Sequence, residues 1–342
     1  MKTESGTPEA RPATTPGTMR AIVQDAYGEA DVLRLEVIDR PTIGDAEVLV
    51  RVHAAGVDQG AWHLMAGLPY PIRLAGYGLR APKTRVRGRE LAGRVEAVGK
   101  DVTSLRPGDE VFGIGEGTFA EYAPAAADKL AIRPAKLGVQ QAAAVPISAL
   151  TALQAVRDHG RVQPGHRVLV IGAGGGVGTF AVQIAKAFGA EVTGVASTGK
   201  VDLVRSLGAD HVVDYLHDDD LGAGERRYDV ILDTGGNRPL RVLRRALTPT
   251  GTLVIVGAET GGRWLGGTDR QLRAMAASPF VGQSLRSFIA SENAADLVVV
   301  ADLIESGAVS PAVDRTFPLA ETPAAVRYLR EGRARGKVVV EV

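Results

Sequence analysis

Two groups of residues have types and spacings that could do chemistry. The first is Gly172-Ala-Gly-Gly-Gly-Val-Gly178. Glycines this dense let a backbone approach a pyrophosphate, and a helix that starts among them offers unpaired N–H groups to the anion. Read as Ala173-Gly-Gly175-Gly176-Val177-Gly178, the stretch follows the dinucleotide pattern G-x-G-x-x-G with alanine in the first glycine position. A glycine turn that serves only strand–helix packing reads the same way. Ser197-Thr-Gly-Lys200 follows a further strand-length step along the chain. A carboxylate there would hold the ribose 2′-OH of NAD, whereas hydroxyls and a lysine suit an added 2′-phosphate. The second group is Asp58-Gln-Gly-Ala-Trp-His63. Near neutral pH, His63 could supply a proton or hydrogen-bond a carbonyl oxygen. It could equally be an ordinary histidine on a helix surface.

Other chemistries find less support. His53, His159, His166, His211 and His217 show no spacing that sets a metal pair on one helix face. The absence of cysteine excludes disulfides and every cysteine-ligated metal site. Arg241, Arg244 and Arg245 cluster on one expected helix. With a net charge of +1 over 342 residues, they read as a solvated face and not as a nucleic-acid footprint. No apolar run reaches membrane-spanning length, and no segment reads as a secretory signal, so the expected compartment is the cytoplasm. Hydrophobic residues make up 45%, enough for the sizeable cores of the two domains this length suggests.

The elements that position these residues can be read around them. Val168 to Ile171 is the apolar run of a buried parallel strand. Val177, Phe180, Ala181, Ile184, Ala185 and Phe188 then recur at helical spacing, up to Gly189. Strands over 191–195, 210–215, 228–233 and 252–257, with a possible sixth over 284–290, continue a strand–helix rhythm, which predicts a doubly wound parallel sheet. Before it, short strands with regular turns predict a β-rich domain, including 20–24, 33–37, an alternating 47–53 and a strand pair within 88–99. A short helix is expected over 59–66 and an alanine-rich one from Gln140 to about Val156. A helix over 321–332 and a strand over 337–341 return to the style of the first domain. Residues 1–18, rich in Pro, Thr, Glu and Gly, read as a disordered leader. The expected division is 19–145 completed by 311–342, with 146–310 between.

The chain resembles the medium-chain dehydrogenase/reductase superfamily, in its zinc-free quinone oxidoreductase branch. The resemblance covers nearly everything from Met19 to Val342. It is carried by Ala54-Ala-Gly-Val-Asp58, Gly88-Arg-Glu90 with Ala92-Gly93, Pro107-Gly-Asp109, Ala144-Val-Pro146 leading to Leu150-Thr-Ala152, the turn Ala173 to Gly178, Ser197 with Lys200, and Gly208-Ala-Asp210. It implies an α/β molecule: a GroES-like β-rich catalytic domain built from both chain ends, flanking a Rossmann domain that binds NADPH. The implied reaction is reduction of a quinone, enone or similar carbonyl compound. NADP-dependent alcohol oxidation, enoyl reduction and cofactor binding with little turnover stay open beside it. Zinc-dependent relatives carry cysteine and histidine where this chain has Asp58 and Arg89, so no metal is expected, and Asp58 or Glu90 is expected to pair with Arg89 instead. The chemistry then rests on positioning, with His63 and Asp58 as the catalytic candidates. Beyond the turn residues, Ser197 and Lys200, the expected cofactor contacts are Thr151, Tyr215, Thr234, Val256, Gly257 and Phe280. Trp62, Leu68, Pro69, Tyr70 and Tyr77 could line an apolar substrate mouth. A homodimer joined through the strand at 284–290 is the expected assembly.

Overall fold

A computed structural model describes residues 15, 17–217, 221, 226–236, 238–257 and 262–342. Most of the expected leader lies outside these, and Thr18 already opens the first strand. The first domain holds β1 (Thr18–Val23), β2 (Arg34–Asp39), β3 (Glu47–Val57), β4 (Glu90–Val98), β5 (Glu110–Ile114), β6 (Tyr122–Ala126) and β7 (Leu130–Ile132), with helix α1 (Gln59–Ala66) after β3. In β3, Val48, Val50 and Val52 are buried while Leu49, Arg51 and His53 are not, as the alternation requires. From Ala54 on, both faces are covered, because the strand runs under the second domain. The strand pair expected within 88–99 is a single strand, β4, paired with β3 and β5. Gly93 serves packing and not a turn: a Cβ there would stand 2.1 Å from the Arg51 carbonyl oxygen.

The alanine-rich segment is two helices, α2 (Val139–Ala143) and α3 (Pro146–Gln154), because Pro146 opens a new first turn. The second domain follows with β8 (Arg167–Ile171), α4 (Gly176–Ala187), β9 (Glu191–Ala196), α5 (Val201–Ser206), β10 (His211–Asp214), β11 (Tyr228–Asp233), α6 (Leu240–Ala246), β12 (Leu247–Ile255), α7 (Thr268–Ala277), β13 (Ser284–Ser287) and α8 (Ala294–Glu305). Its six strands are all parallel, in the order β10-β9-β8-β11-β12-β13. That is the Rossmann order, and its switch point lies between β8 and β11.

The chain then returns through β14 (Val313–Pro318), α9 (Thr322–Arg330) and β15 (Lys337–Glu341). β15 lies between β14 and β3, inside the first domain's main sheet. One apolar cluster runs from Ala54, Ala92 and Phe112 through α3 to Val168, Val170 and Phe180, so the two domains share a core. Among the described residues no helix is long and apolar enough to cross a membrane.

Candidate active site

A cleft of about 1460 Å³ opens between the domains at the carboxyl ends of β8 and β11. A drug-sized ligand needs roughly 300–1,000 Å³, so this cleft has room for a dinucleotide with a second molecule beside it. Its floor is the glycine turn. Gly172 takes a left-handed φ of 79°, Gly175 is the extended residue before α4, and Gly172, Gly174, Gly175, Gly176 and Val177 line the wall. Apart from the Gly172 oxygen at 3.3 Å, nothing lies within 4 Å of a Cβ built on Gly175, so bare backbone faces the cleft. Ala173 and Gly178 lie beneath the turn, and a Cβ on Gly178 would stand 2.0 Å from the Gly172 oxygen. These two residues shape the turn from below. Thr234 ties the switch point together, its hydroxyl donating to the Ile171 carbonyl at 2.7 Å. A bare glycine wall at a helix N-terminus fits a pyrophosphate.

At one end of the cleft stand Ser197, Lys200 and Tyr215. The Thr198 hydroxyl is engaged by Asp214 and holds that carboxyl below its usual range. A second cation arrives from the other domain: an Arg335 guanidinium nitrogen lies 3.8 Å from where a Cβ on Gly199 would be. Thr151, Val256 and Gly257 line the cleft farther along. Phe280 does not. It ends the short turn after α7 at 88% exposure, away from the cleft, and this corrects its assignment as a cofactor contact.

The opposite end is built by α1 and by the strand ends beside it. Asp58 caps α1, with Oδ1 accepting from the Ala61 N–H at 2.9 Å. Its Oδ2 is buried and has no partner among the described residues, an acceptor left for a ligand N–H or O–H. One turn on, His63 Nδ1 lies 2.8 Å from the Leu68 carbonyl oxygen. A carbonyl only accepts, so Nδ1 carries the hydrogen, and the neutral ring presents Nε2 as an acceptor. Burial holds the His63 pKa below the ordinary histidine value, assisted by Arg330 and opposed by the Leu68 hydrogen bond and Asp58. Leu64, Pro69, Ile72 and Tyr77 supply apolar lining here, and Met275 and Ile289 do so from the second domain. Trp62 is buried and does not line the cleft.

The expected pairing of Arg89 with Asp58 or Glu90 does not form. Arg89 and Glu90 are successive residues at the start of a strand, so their side chains leave on opposite faces. Glu90 turns inward to Lys337, and both are buried. Its other oxygen accepts from the Ile147 N–H at 2.9 Å. Burial pushes the Glu90 carboxyl up, against the pull of Lys337. Arg89 turns into the cleft, where Nη2 meets Glu292 of the second domain at 2.7 Å, and Lys129 reaches the same carboxylate at 3.0 Å. Glu292 sits on a clamped loop: Gln154 donates to the Ser291 carbonyl and accepts from the Ser291 N–H, both at 2.8 Å. Sequence reading does not reach Lys337, Glu292 or Gln154. A lysine opening a strand, a glutamate before a helix and a glutamine ending one are ordinary surface choices without their partners in view.

Comparison with known proteins agrees with this geometry. Residues 44–135 match the alcohol dehydrogenase GroES-like domain, and residues 207–340 match the family described as zinc-binding dehydrogenase. The NAD(P)H oxidoreductase RTN4IP1, mitochondrial, of Mus musculus is 33% identical over 95% of this chain and 89% of its own length. The 2-methylene-furan-3-one reductase of Solanum lycopersicum is 31% identical over 95% of this chain and 79% of its own. The quinone oxidoreductase of Coxiella burnetii superposes with a TM-score of 0.81 at 28% identity, covering 95% of this chain and 99% of its own. A structure titled NAD-dependent alcohol dehydrogenase gives 0.82 at 30%, covering 95% and 100%. The chain belongs to the medium-chain dehydrogenase/reductase superfamily, and it is an oxidoreductase of the nicotinamide-dependent kind.

Proposed function

We propose that the chain uses NADPH to reduce a quinone, enone or similar apolar carbonyl compound, without a catalytic metal. The observation that carries this is one cleft lined by a bare glycine wall, by Ser197, Lys200 and Tyr215, and by an end with apolar lining that also holds Asp58, His63 and Arg89. NADPH supplies the hydride when bound. The α4 N-terminus would receive its pyrophosphate, and Ser197, Lys200 and Tyr215 the adenosine phosphate. Asp58 Oδ2 would accept a hydrogen bond from a bound ligand and so orient it. His63, neutral with Nε2 as acceptor, would contact a hydroxyl of the reduced product, and the proton would come from water. Metal independence rests on the residues. The sequence has no cysteine, Arg89 is a guanidinium and cannot ligate, and Asp58 spends one oxygen capping α1. A homodimer through the β13 edge completes this reading.

The test is NADPH oxidation by metal-free protein against a panel of quinones, enones, enoyl thioesters and, in reverse, alcohols. Turnover with quinones or enones that survives chelators is the expected result. One tightly bound zinc per chain, or turnover only with alcohols, would overturn the assignment. Cofactor binding with no turnover would favour a binding role.

A further inference from the structure

We infer that Arg89 is the electrophile that receives the substrate oxygen during reduction. This rests on the reductase reading above. The β3–β4 register, Ala54 opposite Ala92, carried to the strand ends sets Arg89 across from Val57 and beside Asp58. All three residues line the cleft. A guanidinium carries five N–H donors in a planar fork. Among the described residues only Glu292 engages the guanidinium, through Nη2, which leaves Nε and Nη1 for a ligand oxygen. The fork is fixed before any substrate arrives. It is held by Glu292, by Lys129 on that carboxylate, and by the double hydrogen bond from Gln154 that clamps the loop. Two cations share one carboxylate, so the group keeps positive character toward the cleft.

Several neighbouring groups are already committed. The Thr151 hydroxyl gives its hydrogen to the Ile147 carbonyl at 2.7 Å, and the Ser287 hydroxyl to the Ile255 carbonyl at 3.1 Å. His63 presents an acceptor, and Lys337 is committed to Glu90. When a hydride adds to the carbon conjugated to a carbonyl, a new C–H bond forms and the C=C π pair shifts. The electron pair displaced from the C=O bond comes to rest on oxygen as an enolate. With a quinone the same addition gives the keto tautomer of a hydroquinone monoanion, which becomes aromatic by passing the ring proton to water. The nicotinamide is oxidised, and water then delivers the proton. Arg89 faces the oxygen on which this charge develops, where a preorganised donor lowers the barrier most.

4-Nitrophenol tests this without turnover, since its phenol and phenolate forms absorb differently and the phenolate mimics the developing oxyanion. Wild type, Arg89→Gln, Arg89→Lys and Glu292→Gln are titrated with the probe across pH, with NADPH affinity measured alongside. A charge-assisted hydrogen bond of roughly 1.5–3 kcal/mol corresponds to about ten- to a hundred-fold. Arg89→Gln should therefore bind phenolate weaker by that factor, with neutral phenol and NADPH within about two-fold. Arg89→Lys should recover part of the loss. Glu292→Gln, which relieves Arg89 of its carboxylate, should bind phenolate at least as tightly as wild type, and it tests the idea from the other domain if Arg89→Gln does not fold. In single-turnover reduction of an enone, Arg89→Gln should slow hydride transfer on the order of 10²-fold. Unchanged phenolate affinity and unchanged hydride transfer in a folded Arg89→Gln would overturn the inference and leave the reductase reading standing. An Arg89-dependent phenolate preference in a wild type that reduces no carbonyl acceptor would overturn the reductase reading and the electrophile role with it, leaving only an anion subsite.

Discussion

At the scale of single residues, the sharpest expectation concerns Lys200. It borders the cleft at the end away from Asp58, and its stem packs where a side chain on Gly174 would stand. Lys200→Ala should weaken NADPH by roughly ten- to a hundred-fold, the worth of one charge-assisted hydrogen bond. NADH should be nearly unaffected. Equal losses for the two cofactors in fluorescence titrations would refute the assignment. His63 makes a different prediction. Its pKa lies below the unfolded value of about 6.5, so as pH falls the unfolded chain takes up this proton before the folded one does. Stability is therefore full above about pH 6.5 and declines as pH drops below it toward the folded pKa. His63→Gln should flatten part of that acid-side decline, read by urea unfolding at a series of pH values; an identical slope would show that the ring titrates as it does in the unfolded chain. The glycine turn was visible in the chain by its density, and Lys200 by its place after the strand at 191–195. Glu292 and Lys337 were not, because a charge shows its role only once the opposite charge is in place.

Among elements, the glycine turn separates two jobs that the motif merges. Gly178 sits where a Cβ would meet the Gly172 oxygen at 2.0 Å, so Gly178→Ala must push α4 away from the end of β8. A loss of about 1–3 kcal/mol is expected, as for other overpacked sites. Gly175 has an ordinary extended backbone at φ −94° and only a 3.3 Å neighbour, so Gly175→Ala should fold with little change. Its methyl would stand where the pyrophosphate approaches, and NADPH binding should fall while the melting temperature holds. The reverse pattern, lost stability at Gly175 and lost binding alone at Gly178, would contradict this division. Elements with a clear period or cap were legible in the chain: α1, β11 and β15 take the spans their patterns predict. α7 was not. Of its ten residues only Ala274 is buried, and Leu272 and Met275 are exposed, so there is no apolar stripe to read.

On the scale of the whole molecule, the buried Glu90–Lys337 pair binds β4, β15 and the start of α3 into one body. Removing one partner strands a charge in the core, which typically costs about 3–5 kcal/mol. Lys337→Met should lose that much in urea unfolding, and adding Glu90→Gln should restore part of it, a coupling a double-mutant cycle measures. Additive losses would show that the two groups act independently. The change in pattern near Gly138 falls where the strands of the first sheet give way to helix, and the helix and strand of the tail mark the return of β15 to that sheet. The shared core beneath the cleft was not legible in the chain, since Ala54, Ala92 and Ala142 are too small to announce a junction. β13 is an edge strand, shorter than expected because Phe288 leaves it to stack on His159 at 4.0 Å. If that edge pairs with its symmetry mate, the protein should sediment as a dimer at micromolar concentration; a monomer mass would exclude it.

The place of β15 has a consequence in time. The strand that fills the gap between β14 and β3 leaves the ribosome after every other described strand. At roughly 5–20 residues per second, the stretch between β3 and β15 takes on the order of tens of seconds to synthesise. Within that interval the parallel sheet acquires all of its strands, the last ending at Ser287, while the N-terminal sheet waits with one edge of β3 unfilled. The parallel sheet is thus free to mature first, and the sheet that carries α1 and Arg89 closes around them only after it.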